Sequence, residues 1–234
     1  MNNNTKKKFE NIKPFLSLIF NVLIPVLILT KYSTDTNLRP LYWTLIALAF
    51  PCSYGVVELV REKKWNFISI IGVVSVLLTG GLALFKLGGI WFAIKEAAIP
   101  LTIGLTILLL QKTRFSISKV FFNNPKIFNV MLINSSLDQN NGHGNYQKLL
   151  KKSTLMMASS FLLSAILNFV LAILILKSET GTVEFNQELG RMTALSFPVI
   201  MIPCTLVMIL TLFYLASGLK KITGLNLEQI IIAK

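Results

Sequence analysis

Long apolar runs dominate the chain, and short polar segments break them into six windows: Pro14–Thr30, Leu41–Val60, Phe67–Phe85, Ile90–Leu110, Leu155–Leu176 and Met192–Leu215. A helix needs about 20 apolar residues to cross a bilayer, within a range of roughly 17–25, and all six windows meet that length. The pattern predicts an all-α polytopic membrane protein. Residues 1–234 would form one integral membrane domain, a bundle of six transmembrane helices. Residues 112–152, between the fourth and fifth windows, form a linker long enough to hold structure of its own. Its segment KIFNVMLINSSL has apolar residues on more than one face, so it could lie in the headgroup plane or pack under the bundle. NNGHGN reads as a flexible break, and YQKLLKK as a basic extension of the fifth helix. The opposite loop contains VEFNQELG, which could form one helical turn or two.

Composition strengthens the membrane reading. Of 234 residues, 53% are hydrophobic and 14% charged, whereas soluble domains carry about 25% charged residues. The basic start MNNNTKKKFENIKPF is followed by an apolar run without a small-residue cleavage site, which reads as a retained first helix. Cys52 and Cys204 each follow a proline in an apolar run and suggest neither a disulfide framework nor a metal cluster. The one histidine, His143, sits in the Gly/Asn-rich break, so no histidine metal site, haem or other cofactor is expected.

The net charge of +13 matters through its placement. Lys6, Lys7, Lys8 and Lys13 precede the first window, and Arg61, Lys63 and Lys64 follow the second. Lys112, Arg114, Lys119, Lys126, Lys148, Lys151 and Lys152 lie in the linker, and Lys220, Lys221 and Lys234 follow the sixth window. The other side holds only Lys31, Arg39, Lys86, Lys177 and Arg191. The positive-inside rule then puts both termini and the linker in the cytoplasm. The basic face is expected to attract anionic lipid. A nucleic-acid partner is not expected, because the charges are scattered and lack a binding fold.

Polar residues inside the windows carry the candidate chemistry. Lys95 and Glu96 stand in IKEAAIP, deep in the fourth window. As neighbours on a helix they point about 100° apart and are not expected to face each other as an ion pair. Lys95, about one turn from Trp91, is expected to snorkel to the outer headgroups. Glu96 is shorter and must meet a polar partner, meet water or keep its proton. Asn21, Asn168 and Arg191 are its candidate partners. If Glu96 only holds helices together, glutamine should replace it with little loss. Pro100 removes the helical hydrogen bond to the Glu96 carbonyl, and Pro25 does the same to Asn21 in NVLIP. EAAIP and NVLIP share a polar-x-x-Ile-Pro pattern, which suggests two inverted three-helix halves, as in secondary transporters with broken helices. Further polar or small stripes are Ser17–Asn21–Pro25, Ser160–Ser164–Asn168, and Gly72–Ser75–Thr79–Gly80. The last suits close helix packing. Glu188 and Arg191 complete the set from the outer loop.

The stretches LIFNVLIPVLILTK, SIIGVVSVLLTGG, AIKEAAIPLTIGL and FNQELGRMTALSFPVI resemble a family of uncharacterised bacterial inner-membrane proteins, distantly related to intracellular septation protein A. The likeness runs from about Phe20 to about Tyr214. It implies an inner-membrane protein tied to cell-envelope growth or division, and it carries over no catalytic residues. An enzyme is not expected, since the chain shows no Ser/His pair, metal-ligand cluster or phosphate loop. Two classes remain. The leading expectation is a membrane scaffold with membrane protein partners; the alternative is a secondary transporter of a small solute or ion with a polar site around Glu96.

Overall fold

A computed structural model describes residues 18–34, 39–62, 67–111, 113 and 128–230. Among the described residues the secondary structure is 87% helix, with no strands. The helices are α1 (Ile19–Thr30), α2 (Pro40–Glu62), α3 (Phe67–Leu84), α4 (Gly89–Leu110), α5 (Val130–Gln139), α6 (His143–Ile175), α7 (Val183–Ser196), α8 (Ile202–Thr223) and α9 (Leu227–Ile230). Helix therefore forms in each apolar window. Four stretches among the described residues are long and apolar enough to cross a membrane: Pro40–Val57, Gly89–Leu110, His143–Ile175 and the continuous run Val183–Thr223. α1 is a shorter apolar helix. The start of the first window with Ser17, the lysines before it, Lys63, Lys64, Lys112, the linker's residues 114–127 and Lys234 lie outside the described residues.

Local chemistry sets several ends. The Asn129 side chain accepts the Leu132 amide at the start of α5, and Thr182 accepts the Phe185 amide at the start of α7. Each satisfies one of the orphan amides of a first helical turn. α8 stops at Gly224, whose left-handed φ of 73° closes the helix at little cost because glycine has no Cβ. The predicted turn or two in VEFNQELG is longer than expected. It belongs to α7, which runs through a π-helical turn (Phe197–Met201) into α8.

The prolines act in two ways. Pro51 and Pro100 lie inside uninterrupted α2 and α4. In α1, by contrast, Ile19–Leu23 widens into a π turn, with the Ile24 amide bonding to the Ile19 carbonyl, just before Pro25. A wider turn gives the proline ring room against the carbonyls behind it. NVLIP and EAAIP are thus alike in sequence and different in backbone.

The chain groups into two compact units, Met1–Ala97 with Leu167–Val199 and Ala98–Ile166 with Ile200–Lys234. This interleaved division does not follow a split into the first three and last three helices. In the first unit, α1 packs on α2 and α7, and α2 packs on α3. Gly190 of α7 makes the α1 contact possible: a Cβ there would lie 2.8 Å from Thr30 Cγ2 and 3.1 Å from Leu29 Cβ. In the second unit, Ile133 and Leu137 of α5 join Leu149 and Leu150 of α6, Leu215 and Leu219 of α8, and Ile230 of α9 in one buried apolar cluster. Of the two fates open to KIFNVMLINSSL, its described part takes packing against helices. Elsewhere large apolar side chains face outward, including Phe85 at 80%, Leu109 at 76% and Phe213 at 66% exposure. Such an apolar exterior suits a lipid environment.

Candidate functional site

Lys95 lies on α4 and is only 8% exposed. Its ammonium group has three acceptors within reach: Glu96 Oε1 at 2.6 Å, Thr79 Oγ1 at 2.7 Å and Ser75 Oγ at 3.4 Å. Ser75 and Thr79 stand one turn apart on α3, and the Thr79 hydroxyl donates in turn to the Ser75 carbonyl at 3.0 Å. One buried cation therefore uses all three of its N–H donors and joins α4 to α3.

Two expectations are corrected here. Lys95 does not snorkel, because the hydroxyls of α3 and the Glu96 carboxylate satisfy its charge within the protein. Lys95 and Glu96 do pair, although their Cα–Cβ bonds diverge. The lysine arm has four carbons and can swing its ammonium back to its neighbour, so the divergence at the backbone does not carry to the charged ends. The stripe on α3 also proves to be more than a packing seam. A Cβ added at Gly80 would lie 3.7 Å from Leu48 Cδ1 and 4.0 Å from Leu45 Cδ2 of α2, while Ser75 and Thr79 serve as ligands of the buried lysine.

A second polar network centres on α7 and FNQELGR. Asn186 is fully buried; its amide donates to the Pro40 carbonyl at 2.7 Å, and its oxygen accepts the Thr44 hydroxyl at 2.6 Å. That fixes the first turn of α2 to α7. Phe185 packs edge-on against Phe92 of α4 with centroids 5.2 Å apart, both rings being fully buried. Glu188 accepts the Lys177 amide at 2.8 Å and the Ser178 amide at 2.9 Å, and also the Ser178 hydroxyl at 2.8 Å. It lies near the start of the continuous run Val183–Thr223. Thr180 completes the connection by donating to the Leu87 carbonyl at 2.6 Å. Successive positions of one motif thus hold α2, α4, the 176–182 connection and, through Gly190, α1.

Pro100 lies one turn beyond Glu96 in α4, Asn21 sits in the π turn of α1 with Pro25 just after it, and Asn168 is half-buried on α6. Arg191 is exposed. The partner that the structure gives Glu96 is Lys95. Sequence reasoning missed Asn186 and Thr44. The available signal was an asparagine inside a motif already singled out, but its partner lies 142 residues away. Among the described residues, no group of three or more His, Cys, Asp or Glu side chains is placed to hold a metal ion.

Fold and sites together define an all-helical membrane protein. Comparison with protein-family models, with curated proteins and with solved structures finds no match.

Proposed function

We propose that the chain is a non-enzymatic scaffold of the bacterial inner membrane, with six spans, both termini in the cytoplasm, and a role in envelope growth or division. The observation that carries this reading is that the polar groups of Lys95, Asn186 and Glu188 are spent on tying elements of the fold together. Lys95 uses every donor on Ser75, Thr79 and Glu96, and Asn186 and Glu188 tie helices and a connection together. Groups engaged in this way hold an architecture still. The distribution of Lys and Arg supports the orientation, and the resemblance of KEAAIP and FNQELGR to septation protein A relatives supports the role.

Transport is the competing reading, and the ion pair of buried Lys95 with half-buried Glu96 favours it. Ionisable groups within membrane helices often mark ion or substrate paths, and the inverted-halves reading of NVLIP and EAAIP belongs with it. Reconstitution into proteoliposomes separates the two. Under an imposed pH gradient the scaffold should show no proton or solute flux above empty vesicles, while a fluorescent fusion in cells should concentrate at sites of envelope growth. Flux that disappears in Lys95→Met with the fold intact would establish the transporter instead.

A further inference from the structure

In the second unit a groove of about 450 Å³ opens between the lysine-rich ends of α6 and α8, within the roughly 300–1,000 Å³ typical of ligand pockets. Lys148 and Lys152 line it from successive turns of α6, and Lys221 faces them from α8, with Asn145 and Ser217 beside them. No carboxylate is among its lining residues. Like charges at i,i+4 repel, and three cations converging on one concavity create a local field that a bound anion would relieve. The floor is close-packed: a Cβ on Gly218 would run into the Leu149 side chain, so the helices approach there and the lysines stand around the rim.

The chemistry changes along each helix away from this rim. On α8 the stripe Lys221, Ser217, Tyr214, Leu210 passes from cation to hydroxyl to exposed aromatic and apolar side chains. On α6 it passes from Lys148 and Lys152 to Leu155, which is 56% exposed. Both helices change from charged to apolar in the direction leading away from the groove. We propose that the groove binds an anionic glycerophospholipid, with its phosphate between Lys148, Lys152 and Lys221, its glycerol region near Ser217 and an acyl chain along Tyr214 and Leu210. A free phosphate would satisfy the lysines but would leave the apolar track unused. The inference goes beyond the scaffold reading and holds for a transporter equally.

The test uses the full chain purified in detergent, with dioleoylphosphatidylglycerol, dioleoylphosphatidylcholine and glycerol 3-phosphate as probes. Bound lipid is followed by native mass spectrometry and by thermal stabilisation. Phosphatidylglycerol should bind in preference to phosphatidylcholine. Each of Lys148→Gln, Lys152→Gln and Lys221→Gln should weaken it by about fivefold. Lys151→Gln removes the same charge from α6 at a position outside the groove and should change binding by less than about twofold. A triple Lys→Arg variant should retain binding and shows that charge is what the groove supplies. An equal loss in Lys151→Gln would overturn the proposal in favour of diffuse surface attraction. Equal protection by glycerol 3-phosphate would overturn the lipid assignment, and unchanged binding in all three glutamine variants would remove the groove altogether.

Discussion

Replacing Glu96 with glutamine tests the Lys95 network directly. Glutamine keeps the size and an acceptor oxygen but removes the charge opposite a lysine whose side chain is 7% exposed. Breaking a buried pair by removing one partner costs about 3–5 kcal/mol. Here the Glu96 side chain is 29% exposed, and Lys95 keeps Thr79 and Ser75, so a loss of about 2–3 kcal/mol is expected. Glutamine is therefore not the neutral replacement that a carboxyl acting alone would allow. Lys95→Met leaves the carboxylate without its cation but at a more exposed position, and should cost less, about 1–2 kcal/mol. The double variant removes both charges and should cost less than the sum of the singles by at least about 1 kcal/mol. Reversible unfolding in mixed micelles, followed by circular dichroism, measures all four proteins. Additivity within about 0.5 kcal/mol, or a harmless Glu96→Gln, would refute the coupling.

Asn186→Leu keeps the bulk but removes the bonds to the Pro40 carbonyl and the Thr44 hydroxyl, which keep only their own 3.4 Å contact, so the same unfolding assay should show a loss of about 1–2 kcal/mol, with Thr44→Val milder. Glu188→Ala removes the acceptor of the Lys177 and Ser178 amides and should loosen the connection they belong to. Limited proteolysis of the 176–182 connection should accordingly be faster in that variant than in the parent protein, and an unchanged rate would show that the Glu188 contacts do not hold it. Finally, a reporter fused after Gly142 should report cytoplasm and one at Gly181 the outer side; the same side for both would sink the six-span topology.

Hydropathy is a local property, and it located the helices. Any run of about 20 apolar residues forms helix in lipid because its backbone groups have no other partner. Thr182 and Asn129 at helix starts and Gly224 at a helix end likewise act within a few residues of themselves, so their roles could be read from the chain. The partners of the polar side chains could not. Lys95 is satisfied by Ser75 and Thr79 across a helix contact, and Asn186 by Thr44 and Pro40 from far up the chain. Those choices depend on which faces the packed helices turn toward one another. EAAIP and NVLIP make the same point for the backbone, since one shared pattern became a plain helix in α4 and a π turn in α1. The sequence by itself determined that the chain is helical and where its charges stand; tertiary packing alone decided which polar groups meet, because a contact between helices is set by shapes that no single segment contains.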